Sequence, residues 1–258
     1  MKFAKYAMNK LSVLTYHAID TRPSVISIDP RLFQSQMEML AAQNFKGIGL
    51  SEAFDHLERT GSFPENSIVL TFDDGYTSLL EEVLPVIQPL EFSATAFVIY
   101  DLIGLNAEQA RSVVGDINRD MLGWSQIEEL ISSGFEIGSH TRRHPDLTRL
   151  SAVALGQELG DAKERLQQHL QVPVDALAYP YGHLNRAVRN AASGHYKLAC
   201  TTRLGRVTRD MDPLQLKRID AYYLRNPKTF LSVCNGGLDA YLHFRQHLRD
   251  LKQRLTRS

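Results

Sequence analysis

The chain has 258 residues, of which 43% are hydrophobic and 22% are charged. This composition is typical of a folded globular protein and excludes disordered and collagen-like classes. Lys plus Arg and Asp plus Glu both number 29, so the formal net charge is zero, and we expect no nucleic-acid partner. Two cysteines, Cys200 and Cys234, are too few for a disulfide scaffold.

The N-terminal segment and the lack of long apolar stretches bear on the location of the protein. Residues 1–10, MKFAKYAMNK, lack the apolar run of a signal peptide. Because no uncharged apolar stretch reaches about 18 residues, we predict no transmembrane helix and expect a cytoplasmic protein. No segment rich in Pro, Gly or Ser divides the chain. We therefore expect one domain over residues 1–258, with a core of about residues 11–225 and a helical, basic segment of about residues 227–258.

Strand-like apolar runs alternate with helix-like periodic segments along most of the chain. In chain order we predict a strand over Leu11–Tyr16, a helix over Pro30–Gln43, a strand over Ser67–Phe72, a helix over Leu79–Leu90 that is kinked at Pro85 or starts late because of it, a strand over Ala94–Ile99, a helix over Trp124–Ser133, a strand over Phe135–Ser139, a helix over Ser151–Leu170, a strand over Val174–Ala178, a helix over Asn185–Ser193, a strand over Lys197–Thr201 and a helix from Phe230 onwards. This order predicts an α/β protein with a parallel sheet or a β/α barrel. Residues 100–123 fit neither pattern, and we interpret them as an insertion or lid over one end.

Two adjacent carboxylates, Asp73 and Asp74, follow the predicted strand Ser67–Phe72 and precede Gly75. In parallel α/β folds the reactive groups lie where strands end and loops begin. Two neighbouring carboxylates there destabilise one another unless a cation is close. Successive residues of an extended chain point in opposite directions. We therefore expect one aspartate to bind a divalent metal and the other to act as a base.

Two histidines follow another predicted strand, since Phe135–Ser139 runs into His140 and His144 comes four residues later. Two imidazoles and one carboxylate are a common ligand set for catalytic zinc and also suit other first-row metals. A second pair with the same spacing, His243 and His247, lies in a basic helical segment without a double carboxylate. We interpret that pair as solvated surface residues.

Three motifs in this part of the chain resemble successive motifs of the polysaccharide deacetylases, also known as carbohydrate esterase family 4 or the NodB-homology domain. They are Thr71–Gly75 (TFDDG), Ser139–His144 (SHTRRH) and Tyr179–Gly182 (YPYG). The resemblance covers about Ile68 to Thr202. It implies a single-domain, distorted (β/α)7-type barrel that removes N-acetyl groups from amino sugars in a polysaccharide, an oligosaccharide or a lipid-linked glycan.

The resemblance also implies roles for individual residues. By it, Asp73 would be the general base, and the backbone N–H of Tyr181 would face the oxyanion. Asp74, His140 and His144 would hold a divalent metal ion. Zinc is the first expectation for that ion, and cobalt, nickel or iron would suit the same ligands.

The chain departs from the family pattern in two places. Ala178 stands where the family usually has an arginine that orients the base, and Arg142, Arg143 or Arg218 could substitute for it. The late leucine–any–histidine motif is not evident either. Instead His17 follows the first predicted strand. This resembles the permuted branch of the family, which includes poly-N-acetylglucosamine deacetylases, and implies that His17 is the general acid.

Alternatives remain open at this stage. His17 could be a hydrogen-bonded histidine at a strand end, and Tyr181 could serve ordinary packing. The protein could be another amide or ester hydrolase on the same scaffold, or a sugar-binding protein that has lost catalysis. The segment Tyr241–Ser258 could pack on the barrel or lie weakly on an anionic membrane, at the inner membrane face, because basic residues dominate it and Phe244 and Leu248 share a helical face. The sequence does not indicate an oligomeric state.

Overall fold

A computed structural model describes residues 10–255 of the chain, with side chains up to residue 252. The strands are β1 (Lys10–Tyr16), β2 (Ala18–Ile19), β3 (Ser27–Ile28), β4 (Lys46–Ile48), β5 (Ser67–Phe72), β6 (Ala94–Val98), β7 (Phe135–Ser139), β8 (Ala176–Ala178), β9 (Leu198–Leu204), β10 (Val207–Thr208) and β11 (Leu216–Asp220). The α-helices are α1 (Pro30–Ala42), α2 (Leu50–Thr60), α3 (Leu84–Ile87), α4 (Ala107–Val113), α5 (Trp124–Ser132), α6 (Ala152–Gly156), α7 (Ala162–Leu170), α8 (Arg186–Ser193), α9 (Pro227–Asn235) and α10 (Asp239–Leu255). Among these helices, none is long and apolar enough to cross a membrane.

Seven parallel strands close into a barrel in the order β1, β5, β6, β7, β8, β9 and β11, with β11 returning to β1. The predicted (β/α)7-type barrel is therefore confirmed. The ring is irregular because β4 and β6 share one edge of β5, β4 near its start and β6 near its end. The short strand β10 adds to β1 in the antiparallel direction. All seven barrel strands thus direct their carboxyl ends to the same mouth.

The barrel interior has an apolar layer below a polar one. Val13, Val69, Phe97, Ala178 and Cys200 are fully buried and belong to one cluster inside the ring. Helix α2 contributes to the same cluster, and its first N–H groups donate to Thr95 and Glu136 near the starts of β6 and β7. Because side chains alternate along a strand, the inward positions nearer the carboxyl ends carry polar side chains instead. The functional groups described below stand on this apolar floor.

Several element boundaries differ from the sequence prediction for identifiable reasons. The predicted helix over residues 79–90 is a π-helical turn, Leu79–Val83, followed by α3 and a short 3₁₀ turn. Pro85 has no N–H to donate, and the wider turn before it accommodates the missing bond. The predicted helix from Phe230 is two helices, α9 and α10, because Gly236 ends α9 with a positive φ of 74°. The strand β11 and the helix α2 were not predicted.

The segment of residues 100–123, interpreted from the sequence as an insertion or lid, packs beside the loop that follows β5. The Leu122 N–H donates to the Gly75 carbonyl at 2.9 Å, and the Thr77 N–H donates to the Asp120 carbonyl at 3.1 Å. Apolar residues of the segment also form a buried cluster with Tyr76. The segment therefore supports the loop that carries the double aspartate.

Gly138 of β7 is expected to tolerate no side chain. A Cβ built there would lie 2.4 Å from the ring of Phe97 and 3.2 Å from the Ala176 carbonyl oxygen. Since Phe97 is fully buried, Gly138→Ala should lower the free energy of unfolding by about 1–3 kcal/mol through overpacking. Urea unfolding followed by circular dichroism measures this change.

Gly156→Ala is the matched control, because a Cβ there would meet nothing within 4 Å and the residue is helical. It should leave stability unchanged or raise it by about 0.5–1 kcal/mol. Equal destabilisation by the two substitutions would contradict the packing argument for Gly138.

Candidate metal and catalytic site

The two adjacent aspartates at the end of β5 direct their carboxylates to different partners. The Asp73 N–H continues the strand pairing by donating to the Tyr16 carbonyl at 3.0 Å. Asp74 then adopts a positive φ of 75° and Gly75 one of 81°, so the chain turns sharply. Asp73 consequently faces Arg218, and Asp74 faces His140. This divergence supplies the two different environments that metal binding and base catalysis require.

Asp74, His140 and His144 form the one group of metal-ligating side chains found among residues 10–252. One ligand atom from each lies within 4.8 Å of the others. Oδ1 of Asp74 is 3.5 Å from Nε2 of His140 and 3.9 Å from Nε2 of His144. Such separations leave room for a cation between the three atoms, since zinc lies about 2.0–2.2 Å from nitrogen and oxygen ligands.

The protonation of the two imidazoles suits a cation. Nδ1 of His140 lies 2.7 Å from the Ala178 carbonyl, which only accepts, so this nitrogen carries the proton and Nε2 offers its lone pair. Burial, together with the neighbouring His140, lowers the pKa of His144 to about 4, so the ring is neutral at pH 7. Its Nδ1 is buried without a hydrogen-bond partner in the described structure. The donor set therefore fits a divalent metal ion.

A tight loop returns His144 to the site after β7. Thr141 and His144 both adopt positive φ angles, 67° and 59°. The Thr141 hydroxyl accepts a hydrogen bond from the His144 N–H at 3.0 Å. These conformations are costly for residues other than glycine and persist only where the surrounding structure holds them. The spacing of four residues thus brings both rings to one point through a loop rather than through a helix.

Arg218 of β11 holds Asp73. Two of its nitrogens donate to the two carboxylate oxygens of Asp73, each at 2.7 Å, and its Nε donates to the Thr201 carbonyl at 3.1 Å. Both side chains are almost completely buried. Burial alone would raise the pKa of Asp73, but the charge and hydrogen bonds of Arg218 outweigh it and hold that pKa well below its usual range. Asp73 is therefore a fixed carboxylate.

The other two arginines considered for this role lie elsewhere. Arg142 and Arg143 both direct Nε to the carboxylate of Asp101, at 3.1 Å and 2.7 Å. Arg218 thus takes the position opposite Asp73 that the sequence left open among three residues. Ala178 contributes only its backbone carbonyl, to His140.

His17 and Tyr181 both lie beside this group of residues. Nε2 of His17 lies 3.8 Å from Oδ2 of Asp73, and the imidazole is partly exposed. The ring of Tyr181 lies edge-on to His144 with 4.7 Å between centroids. Tyr181 has a positive φ of 59°, and its side chain is 45% exposed at the mouth. Both residues therefore border the space that a substrate would enter.

Tyr76 is a buried neighbour of the site that the sequence analysis did not single out. Its ring is only 1% exposed, and Arg119 stacks over it at 5.4 Å. Burial raises the pKa of Tyr76, and the neighbouring carboxylate of Asp74 raises it further. Its place directly after the DDG motif was the available indication. Tyr76 is therefore a neutral phenol close to a metal-ligand candidate.

Comparisons with known proteins identify the family of the chain. The family model described as polysaccharide deacetylase matches residues 60–196, more than half of the chain. A putative polysaccharide deacetylase of Bacillus subtilis, YxkH, is 27% identical over 211 residues, covering 81% of this chain and 71% of that protein. A poly-β-1,6-N-acetyl-D-glucosamine N-deacetylase of Staphylococcus aureus is 24% identical over 168 residues, covering 62% of this chain and 55% of that protein.

Solved structures of similar shape include the Streptococcus pyogenes deacetylase PplD in complex with acetate. That structure has a TM-score of 0.75 and 26% identity, and the match covers 87% of this chain and 98% of PplD. IcaB from Ammonifex degensii has a TM-score of 0.72 and 24% identity over 88% of this chain and 96% of its own, a likeness of fold. The barrel therefore has counterparts among solved deacetylase structures.

Proposed function

The chain belongs to the polysaccharide deacetylase family, and we propose that it removes the N-acetyl group of an amino sugar at the site formed by Asp73, Asp74, His140 and His144. Family membership makes the protein a carbohydrate deacetylase, a hydrolase of the amide bond of N-acetyl groups. The expectation of an enzyme of this class is confirmed. The observation that carries the proposal for the site is the Asp74–His140–His144 group next to a carboxylate fixed by Arg218.

Asp74, His140 and His144 would hold the metal ion. A bound divalent ion there would supply a Lewis acid and lower the pKa of a water molecule. We propose zinc as this ion, with cobalt, nickel or iron suiting the same ligands. The neutral imidazole of His144 and the Nε2 lone pair of His140 are in the state that such binding needs.

Asp73 is proposed to accept a proton from the attacking water. Its pairing with Arg218 keeps it ionised at neutral pH and fixes its orientation, so it is in the state that a general base requires. The water oxygen attacks the carbonyl carbon of the acetamide, and the carbonyl oxygen takes up negative charge. The backbone N–H of Tyr181 is proposed to donate to that oxygen, a contribution of about 3 kcal/mol where such donors have been removed.

His17 is proposed to protonate the leaving nitrogen. An amide nitrogen is a poor leaving group without a proton, and His17 is a partly exposed imidazole beside Asp73. Acetate and a free amino sugar are the products. The substrate is proposed to be an N-acetylated polysaccharide, oligosaccharide or lipid-linked glycan. A cytoplasmic location stays a prediction.

Acetate release from defined sugars tests the proposal. Metal-loaded protein is incubated with β-1,6-linked and β-1,4-linked N-acetylglucosamine oligomers and with a nucleotide sugar, and acetate is quantified. We expect release from at least one sugar, its loss after chelation and dialysis, and its return when zinc is added back. Release that is insensitive to the chelator would contradict the metal role. No release from any sugar, with metal shown to be bound, would favour another amide or ester substrate.

Contact of α10 with anionic membranes also stays a prediction. The helix packs on the barrel through Leu242 and through Arg249, which donates to the Thr202 carbonyl at 2.9 Å. Its opposite face leaves Phe244, Leu248 and Leu251 exposed by 59%, 42% and 41%. We expect weak sedimentation with phosphatidylglycerol vesicles at low salt, reduced in Phe244→Ser and at 0.5 M salt. Equal recovery with and without vesicles would contradict the contact.

A further inference from the structure

A groove of about 970 Å³ opens beside the site, and of its lining residues only Tyr181 has a role in the reaction described above. We call it the cationic groove. Its lining includes Tyr181, Arg186, Arg203, Lys217, Gln246 and Arg249. It extends from the mouth of the barrel to α10, and its volume is at the upper end of the range of ligand pockets, about 300–1,000 Å³. A ligand several sugar units long could occupy it.

The groove adjoins the catalytic centre through Tyr181. Tyr181 is part of its wall, and the ring of Tyr181 contacts the ring of His144. The Tyr181 carbonyl accepts a hydrogen bond from the Thr202 hydroxyl at 3.2 Å, which connects the loop of the site to β9. A saccharide with its acetamide at the site can therefore continue along the groove past Tyr181.

The acidic side chains of the groove are already engaged. Asp212 accepts two hydrogen bonds from Arg189, at 3.0 and 3.1 Å. Asp146 accepts from Thr148 and lies 3.0 Å from a ring nitrogen of His183. The carboxylate of Asp250 accepts from Gln246 at 2.7 Å. All three carboxylates therefore have polar partners among the described residues.

Three cations of the groove lack such neighbours. The side chains of Arg186, Arg203 and Lys217 make no hydrogen bond or ion pair with any other residue that the structure describes. Lys217 is nevertheless held in place, because its stem passes over Gly205, where a Cβ would lie 2.8 Å from Cδ of the lysine. The groove therefore presents uncompensated positive charge next to the site.

We propose that the cationic groove binds an oxyanion carried by the saccharide substrate, a phosphate or a carboxylate some sugar units away from the acetamide. This inference rests on the proposed function and specifies its substrate class as an anionic glycan. Arginine matches both phosphate and carboxylate geometry through paired N–H donors, and lysine adds a point charge. Phosphate and carboxylate are both oxyanions, and the experiment below distinguishes between them.

The test compares three N-acetylglucosamine trimers: one neutral, one carrying a phosphate and one ending in a uronate. KM for acetate release is measured with the metal-loaded enzyme at low salt. We expect KM to be about tenfold lower for at least one anionic trimer than for the neutral one, with the advantage shrinking as salt screens the charges. The trimer that is preferred identifies the oxyanion.

Two double variants assign the effect to the groove. Arg203→Gln/Lys217→Gln should bring the KM values of anionic and neutral trimers together. The matched control, Arg31→Gln/Lys228→Gln, removes the same two charges from exposed positions outside the groove and should keep the preference. Equal KM values for all trimers in the wild-type enzyme, or a preference that survives in the groove variant, would overturn the inference while leaving the deacetylase proposal intact.

Failure of the proposed function would look different, since no trimer would then release acetate. In that case, calorimetric measurement of binding of the same trimers tests whether the groove binds the anionic group. Tighter binding of an anionic trimer that depends on Arg203 and Lys217 would support the groove, and equal binding of all three would overturn it.

Discussion

Asp73→Asn is expected to lower kcat for acetate release by about 10²–10⁴-fold, the range by which general bases contribute to catalysis. The amide of asparagine cannot accept the proton that the proposed mechanism assigns to Asp73. Metal binding should persist, because the ligand group is Asp74, His140 and His144. Acetate release and zinc content, measured on the same preparation, check both halves of this expectation.

Asp74→Asn is the matched control, since it changes the adjacent residue in the same way. It should lose metal and turnover together, because it removes the one carboxylate of the ligand group. Loss of zinc from Asp73→Asn with retention in Asp74→Asn would reverse the assigned roles. Full activity of Asp73→Asn would exclude Asp73 as the base. Circular dichroism of both variants establishes that they are folded.

The site could be predicted from the sequence where its residues follow regular strands. Asp73 and His140 come directly after apolar runs that match β5 and β7 residue for residue. Parallel strands bring their carboxyl ends to one mouth, so two strand ends sufficed to predict a shared centre. The separate partners of Asp73 and Asp74 also follow the alternation of an extended chain, sharpened by the positive φ of Asp74.

The sequence identified Arg218 as a candidate for orienting Asp73 but did not distinguish it from Arg142 and Arg143. Its strand, β11, reads LKRID, and this mixture of charged and apolar residues lacks the apolar run by which the other barrel strands were found. An arginine on the inner face of a barrel is tolerated only because Asp73 faces it, and Asp73 lies 145 positions earlier in the chain. That pairing depends on the closure of the barrel between β11 and β1, a long-range relation that no local pattern contains.

The conformation of irregular segments could not be predicted from the sequence, for a related reason. Residues 100–123 contain a 3₁₀ turn, Tyr100–Leu102, and the short helix α4, and they are held by hydrogen bonds to Gly75 and Thr77 and by a cluster around Tyr76. Their conformation depends on the loop they support.

For α10 the difficulty was different, since it concerned which face of the helix is exposed. Its amphipathic pattern was readable, but which face packs on the barrel depends on contacts such as that of Arg249 with Thr202.

Arg218→Met is expected to lower the free energy of unfolding at neutral pH by about 3–5 kcal/mol, because it leaves the buried carboxylate of Asp73 without its counter-charge. Methionine approximates the length of the arginine stem and fills the space above Phe97, over which the guanidinium lies at 5.8 Å. Chemical unfolding in urea, with the slope compared between wild type and variant, measures the loss.

The sign of the pH dependence follows from the pKa of Asp73. In the wild type that pKa lies below its unfolded value, so the pair stabilises the fold above about pH 4 and loses this contribution as the pH falls through the folded pKa. In Arg218→Met, burial without the cation raises the pKa of Asp73. As the pH falls, this carboxyl is protonated, and the destabilisation of the variant becomes smaller. The difference in stability between the two proteins should therefore be largest at neutral pH and shrink towards pH 4.

The double variant Asp73→Asn/Arg218→Met distinguishes the contribution of the ion pair to stability from the contribution of side-chain packing. Because it removes both charges, it should recover most of the stability that Arg218→Met loses, as buried ion pairs replaced by uncharged side chains commonly do. It should recover no turnover, since the base is absent. A double variant as unstable as Arg218→Met would locate the loss in packing, and the ion pair would then not be what fixes Asp73 in the barrel.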